Sequence, residues 1–142
     1  QLIIDRDVIV ISLLQLPDKD IEIFDSEFEI KSPLSLRFYV STDCSIDRNS
    51  NLAKLDFDKI FFPLLLRKWR RGDRFKPLGM NNFKKLSDFF IDQKYSMLEK
   101  ESQWILCSGD NIVWIVGKRI DDRFKIDSKT KKVYIAELLK KD

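Results

Sequence analysis

At 142 residues the chain is long enough for one domain, which at this size buries roughly 70% of the surface its unfolded form exposes, and too short for two ordinary ones. Hydrophobic residues at 44% and charged residues at 35% suit a soluble globular fold and exclude extended disorder. The formal net charge is only +3, and the absence of histidine excludes Ser-His-Asp and Cys-His nucleophile pairs and imidazole metal ligation within this chain.

In chain order, residues 2–13, "LIIDRDVIVISL", read as two short β-branched runs around Asp5-Arg6-Asp7, a hairpin signal. "IEIF", "FEIK" and "LSLRFYV" follow as short, partly alternating runs, so the first third is mostly sheet. "STDCSIDRNSN" at 41–51 is polar and rich in turn formers, either a loop or the place where two sheets connect. From Asn82 the period changes, with Phe83, Leu86, Phe89 and Phe90 near helical spacing, which predicts an amphipathic helix over 83–93. "SMLEKESQ" adds a helical turn. "WILCS", a Gly109-Asp110-Asn111 turn and "IVWIVG" then form a hairpin, and "TKKVYIAELL" supplies a late strand or strand-to-helix segment. Many strands with few helices, without βαβ alternation, indicate an α+β fold.

The apolar runs "KIFFPLLL" and "IVWIVG" fall far short of the roughly 20 residues that span a bilayer, and no basic-then-apolar leader opens the chain. The start at Gln1 is expected to mark a piece of something larger. Cys44 and Cys107, 63 positions apart, read as reduced thiols in or near the core of a cytosolic protein. The four glycines build no phosphate-cradling loop. Asp121-Asp122, on a basic, turn-like stretch, reads as a solvated pair rather than a magnesium site.

The charge is unevenly spread. Residues 1–66 hold 7 basic and 12 acidic side chains, 67–94 hold 9 and 3, and 95–142 hold 10 and 8, giving −5, +6 and +2. Arg67, Lys68, Arg70, Arg71, Arg74 and Lys76 surround a Gly72-Asp73 turn, with Lys84, Lys85 and Lys94 on or beside the expected helix. Arginine's planar fork suits bidentate phosphate contact and lysine adds point charge. Two lysines in a first helical turn oppose the macrodipole, an arrangement that favours an anion there. Lys118, Arg119 and Arg123 form a second cluster. On charge alone a nucleic-acid surface and a solvated face paired with the acidic first third weigh equally. Trp69, Phe75, Phe83, Phe89 and Phe90 read mostly as core rather than as base-stacking platforms. Leu78, Trp114 and Ile115 also read as core.

"AKLDFDKIFFPLLLRKWRRGDRFKPLGMNNFKKLSDFFIDQK" followed by "IVWIVGKRIDDRFKI" resembles the C-terminal domain of bacterial tRNA(Ile)-lysidine synthetase, with GDRF, PLGM, KKLSDFF and W-x-x-G-x-R blocks in that order over about 53–133. The resemblance implies a fold of packed β-sheets with few helices, similar to a domain of the phenylalanyl-tRNA synthetase β subunit. It implies one C-terminal tRNA-binding domain over 1–142, with 1–52 mainly β and unmatched. It also implies a cytoplasmic ligase that adenylates the wobble cytidine of a CAU-anticodon isoleucine tRNA with ATP and joins lysine to it. The family's SGGxDS loop does not occur here. The chain is therefore expected to be non-catalytic and to hold no cofactor. ATP and Mg would belong to an N-terminal catalytic domain in cis, and the partner of this part would be the acceptor-stem region of the tRNA. The motif carries RNA contact onto Arg67, Arg71, Arg74, Lys84, Lys85 and Arg119 first, then Arg70, Lys76, Lys94 and Arg123. Asp73 and Asp88 are expected to orient arginines or cap backbone. Two rivals stand beside this reading: a free-standing RNA-binding module, and a protein-interaction domain docking an acidic partner.

Overall fold

The computed structural model describes residues 19–139. The hairpin expected at 2–13 lies outside them. Eleven strands and two short helices appear among the described residues. Strands β1 (Ile21–Ile23), β5 (Leu64–Lys68), β8 (Trp104–Ser108), β9 (Asn111–Ile115) and β10 (Arg119–Ile120) make a five-stranded antiparallel sheet in the order β1-β5-β8-β9-β10. Strands β2 (Glu29–Ile30), β3 (Leu36–Ser41), β11 (Val133–Leu138) and β4 (Leu52–Asp56) make a second antiparallel sheet, in that order. A third, two-stranded ladder pairs β6 (Arg74–Phe75) with β7 (Lys84–Lys85), and helix α1 (Leu86–Asp92) follows directly. Helix α2 is Met97–Glu101.

Burial along the strands explains the layering. β3 alternates at its start, with Leu36 and Phe38 inside and Arg37 and Tyr39 outside, because only one of its own faces is covered there. β8 is buried at all five positions and β9 at its last four, so the five-stranded sheet is covered on both faces. One core joins the two large sheets through Leu36, Phe38, Leu55 and Tyr134 against Leu64, Leu66, Leu106 and Trp114. The other packs Phe75, Leu86, Phe89 and Phe90 against Ile105, Cys107, Ile112 and Ile115. The β6–β7–α1 unit is thereby clamped onto the outer face of the central sheet. Its solvent side carries the basic residues.

Local chemistry sets several boundaries. The β8–β9 hairpin turns through Gly109 at φ +60 and Asp110, the first loop residue needing positive φ, as the sequence indicates. A capping box starts α2: the Ser96 hydroxyl accepts from the Glu99 amide, and the Glu99 carboxylate accepts from the Ser96 amide. The 42–51 segment is a loop between β3 and β4 of the same sheet, not a connection between sheets. Asp43, Asp47 and Asn49 brace it by accepting from backbone amides two residues ahead. The segment at 133–138 is strand alone. Both cysteines are free, Cys107 buried and Cys44 half-buried.

The helix expected over 83–93 is shorter at both ends. Lys84 and Lys85 pair with Phe75 and Arg74 in the β6–β7 ladder, a partner distant in sequence that local periodicity does not reveal. Neither lysine occupies a first helical turn, and the seven-residue helix offers no phosphate seat at its start.

Candidate nucleic-acid interface

The turn at Arg70-Arg71-Gly72-Asp73 closes with the Asp73 amide donating to the Arg70 carbonyl at 3.0 Å, and Gly72 at φ +95 takes the third position where only positive φ fits. Asp73 is the hub of this corner. Its two carboxylate oxygens each accept from one Nη of Arg67 at 3.0 Å, and one of them also accepts from the Arg70 amide at 2.6 Å. Arg67 is only 9% exposed and also donates to the Lys68 carbonyl. Burial alone would lower the Arg67 pKa, but the hydrogen bonds to Asp73, together with the neighbouring Cys107, Asp73 and Asp20 groups, offset it and the net shift is upward. Arg67 is thus an internal strut of the corner, facing its own acid rather than an outside phosphate. Asp73 orients an arginine, as expected. Asp88 instead lines a groove.

Arg71, at the tip of the turn, is exposed with no side-chain partner among the described residues. Arg70 is exposed too and reaches Asp20 at 2.9 Å. Beyond the turn, Arg74 and Lys85 stand directly opposite across the ladder, both exposed, while Phe75 of the same ladder is buried. Like charges at paired positions oppose folding by about a few tenths of a kcal/mol unless an anion bridges them. Lys84 is half-buried and bonded to Asp92 of α1. Arg74, Lys84, Lys85 and Phe83 line one side of a groove of about 520 Å³, with Asp88 and Asp92 on its helical wall.

Phe83 departs from the core role expected of it. It is 49% exposed, and two guanidinium groups lie over its ring, Arg74 at 5.5 Å and Arg123 at 4.8 Å from the centroid. The first basic cluster and the second therefore meet on one aromatic side chain. Phe75, Phe89 and Phe90 are buried as expected, and Trp69 is half-buried with its indole N–H on the Lys100 carbonyl.

Arg123 is fixed from beneath. Asp121, with no exposed surface, accepts from the Arg123 amide at 2.8 Å, from its Nε at 2.9 Å and from its Nη2 at 3.0 Å, and also from the Lys76 amide at 2.8 Å. Asn111 takes the remaining Nη at 3.0 Å. Asp122 accepts from the Gly79 amide at 2.9 Å and from Lys125 at 3.0 Å, and the bond from Gly79 holds its carboxyl below the ordinary carboxylate range. The reading of Asp121-Asp122 as a solvated pair is overturned: both acids pin the 76–79 segment to the end of the central sheet. Two Asp-Arg-Phe triplets, at 73–75 and 122–124, mark the arginines that share Phe83. That repetition is the sequence signal for the arrangement.

Of the remaining candidates, Arg119 is exposed and donates to the Leu78 carbonyl at 3.0 Å, and Lys76 is half-buried next to Asp121's bond. Lys94 is exposed at φ +57 in the turn after α1, beside Tyr95, over whose ring Lys118 lies at 5.3 Å. Lys94 is not among the residues that line the groove. Leu78 is 39% exposed and not core, whereas Trp114 and Ile115 are buried as expected.

A family model described as "TilS substrate C-terminal domain" matches residues 64–137. The chain belongs to this family. The matched stretch runs from β5 through the basic turn, the groove and the Asp121 knot into β11, so it contains every side chain of the candidate interface. A tRNA(Ile)-lysidine synthase of Parabacteroides distasonis is 47% identical over 143 residues, covering 98% of this chain and 33% of the relative. The chain thus spans about a third of that curated relative. Among solved structures, a "Crystal structure of TILS C-terminal domain" superposes with a TM-score of 0.70 at 20% identity, over 87% of this chain and 100% of that one. An N-terminal fragment of the phenylalanyl-tRNA synthetase β subunit from Pyrococcus horikoshii gives 0.51 at 22% identity, over 60% and 27%. At these identities the two structures speak for the fold, an α+β arrangement of antiparallel sheets with few helices.

Proposed function

We propose that this chain is the single C-terminal, tRNA-gripping domain of a tRNA(Ile)-lysidine synthase. The observation that carries the reading is the exposed, like-charged Arg74–Lys85 pair, two cations held opposite at a cost that a polyanion removes, with Arg74 sharing the Phe83 ring with Arg123 beside it. A-form stems hide their base edges in a deep major groove, so a surface of arginine and lysine reading phosphates and 2′-hydroxyls suits the acceptor-stem region. Arg70, Arg71, Arg74, Lys85, Arg119 and Arg123 are the contacting residues, with Lys76, Lys84 and Lys94 flanking them. Arg67 builds the corner from within.

The enzyme as a whole ligates lysine to the wobble cytidine of CAU-anticodon isoleucine tRNA in the bacterial cytoplasm, and an N-terminal ATP-pyrophosphatase-type domain in cis carries the chemistry. ATP and Mg²⁺ belong there. Mg²⁺ does not fit the Asp121-Asp122 pair, whose carboxylates are committed to arginine, lysine and backbone amides, and among the described residues no three His, Cys, Asp or Glu gather to hold a metal. Among the described residues no helix is long and apolar enough to cross a membrane.

A gel-shift titration with isoleucine tRNA, a stem-only minihelix and an acidic protein competitor tests the reading. Comparable binding of tRNA and minihelix, resistant to the competitor, is expected. Displacement of RNA by the acidic protein, or failure of the minihelix to bind, would contradict it.

A further inference from the structure

A second concavity lies behind the interface, where the 46–54 stretch faces β10 and the start of the 125–132 loop. It encloses about 450 Å³, in the range of small-molecule sites. Its walls are apolar: Ile46, Leu52, Leu78, Ile120 and Ile126 line it, and Trp114 closes its floor. Ile46 is 82% exposed and Leu78 39%, large apolar side chains left at the surface among the described residues. Around these walls stand Arg48, Lys54, Lys118 and Arg119, with Lys125 already paired to Asp122 and Asp47 as the one acid among the described lining residues.

An apolar pocket edged by four cations outside any ion pair with its lining and one carboxylate is complementary to a flat, uncharged group that carries a negative charge at its edge. Its shape is set in advance. The Asp47 and Asn49 side chains hold the 47–51 backbone, and Arg119, by donating to the Leu78 carbonyl, ties the opposite wall to β10. Leu78 and Arg119 also join the cavity to the basic surface, since Gly79 is bonded to Asp122, the neighbour of Arg123. A polynucleotide lying along Arg74, Arg123 and Arg119 reaches the mouth of the pocket without leaving the protein. Paired bases are stacked and cannot enter; an unpaired one can.

We infer that this cavity receives one unpaired nucleotide of the bound RNA, its base between Ile46 and Leu78 and its phosphate among Arg48, Lys118 and Arg119. The inference rests on the RNA-binding reading above and adds a subsite to it. With largely apolar walls, the site selects for an extruded base over a stacked one rather than for base identity.

The test compares two RNA hairpins, one blunt and one with an unpaired 3′ tail of four nucleotides, on the whole chain and on its Ile46→Ser and Arg71→Ala variants. Ile46 is so exposed that serine leaves the fold intact, and the change alters no charge. The wild type is expected to bind the tailed hairpin about ten-fold more tightly, the scale of one buried base contact. Ile46→Ser should lose that preference while holding the blunt hairpin and its salt dependence, and Arg71→Ala should weaken both hairpins alike. A 4-thiouridine in the tail should crosslink to peptides containing 46–54 or 120–126. Blunt-hairpin binding with no tail preference, or a preference that survives Ile46→Ser, overturns the pocket and leaves the basic surface standing. Binding of neither hairpin overturns both.

Discussion

Arg67 and Arg71 lie four positions apart, carry the same charge, and do opposite work. The Arg67 fork is spent on Asp73 inside the corner, whereas Arg71 projects from the turn with no partner among the described residues. Arg67→Ala is therefore expected to cost about 2–3 kcal/mol of stability, because it strands a poorly solvated carboxylate. Arg71→Ala should leave the melting transition unchanged and weaken RNA binding; thermal melts and gel shifts on the two variants separate these roles. Tyr134 offers a further residue-scale check. Its hydroxyl is buried with no hydrogen-bond partner among the described residues, so Tyr134→Phe is expected to be neutral or to stabilise by about 1 kcal/mol in urea unfolding. A marked loss would mean that the hydroxyl is bonded.

At the scale of elements, the β6–β7–α1 unit has a dry side and a charged side, and Phe75 and Phe83 divide between them. Phe75, with no exposed surface, packs edge-on to Phe89 at 5.3 Å, so Phe75→Ala should cost about 3–5 kcal/mol. Phe83→Ala should barely move stability yet reduce RNA affinity about three- to ten-fold, since the shared platform of Arg74 and Arg123 is gone. The reverse ranking would place Phe83 in the core. This pair also shows what the sequence discloses. The 104–116 hairpin is legible because a Gly-Asp turn between apolar runs is local information. Phe83 misleads because its spacing fits an apolar helical stripe, and only the nonlocal pairing of Lys84-Lys85 with Arg74-Phe75 shows that it precedes the helix on the open side. Asp121 misleads in the same way: neighbouring charges imply solvent until a distant segment, with the Lys76 amide, covers them.

For the whole molecule, the two large sheets share a core, and the excursion between β5 and β8 is pressed onto the central sheet so that Arg74 of the first basic cluster and Arg123 of the second meet on Phe83. The motif blocks mark those residues in the sequence, but they do not show that Arg67 turns inward, that Lys94 sits apart, or that a cavity lies beyond Leu78. The central claim is that this surface grips RNA through its phosphates, and the salt dependence of isoleucine tRNA binding tests it most directly. Neutralising roughly 4 to 6 phosphates gives an expected log-log slope of about −3 to −5. Arg74→Ala should make that slope shallower by about one unit. A slope near zero, or one that Arg74→Ala leaves unchanged, would contradict it.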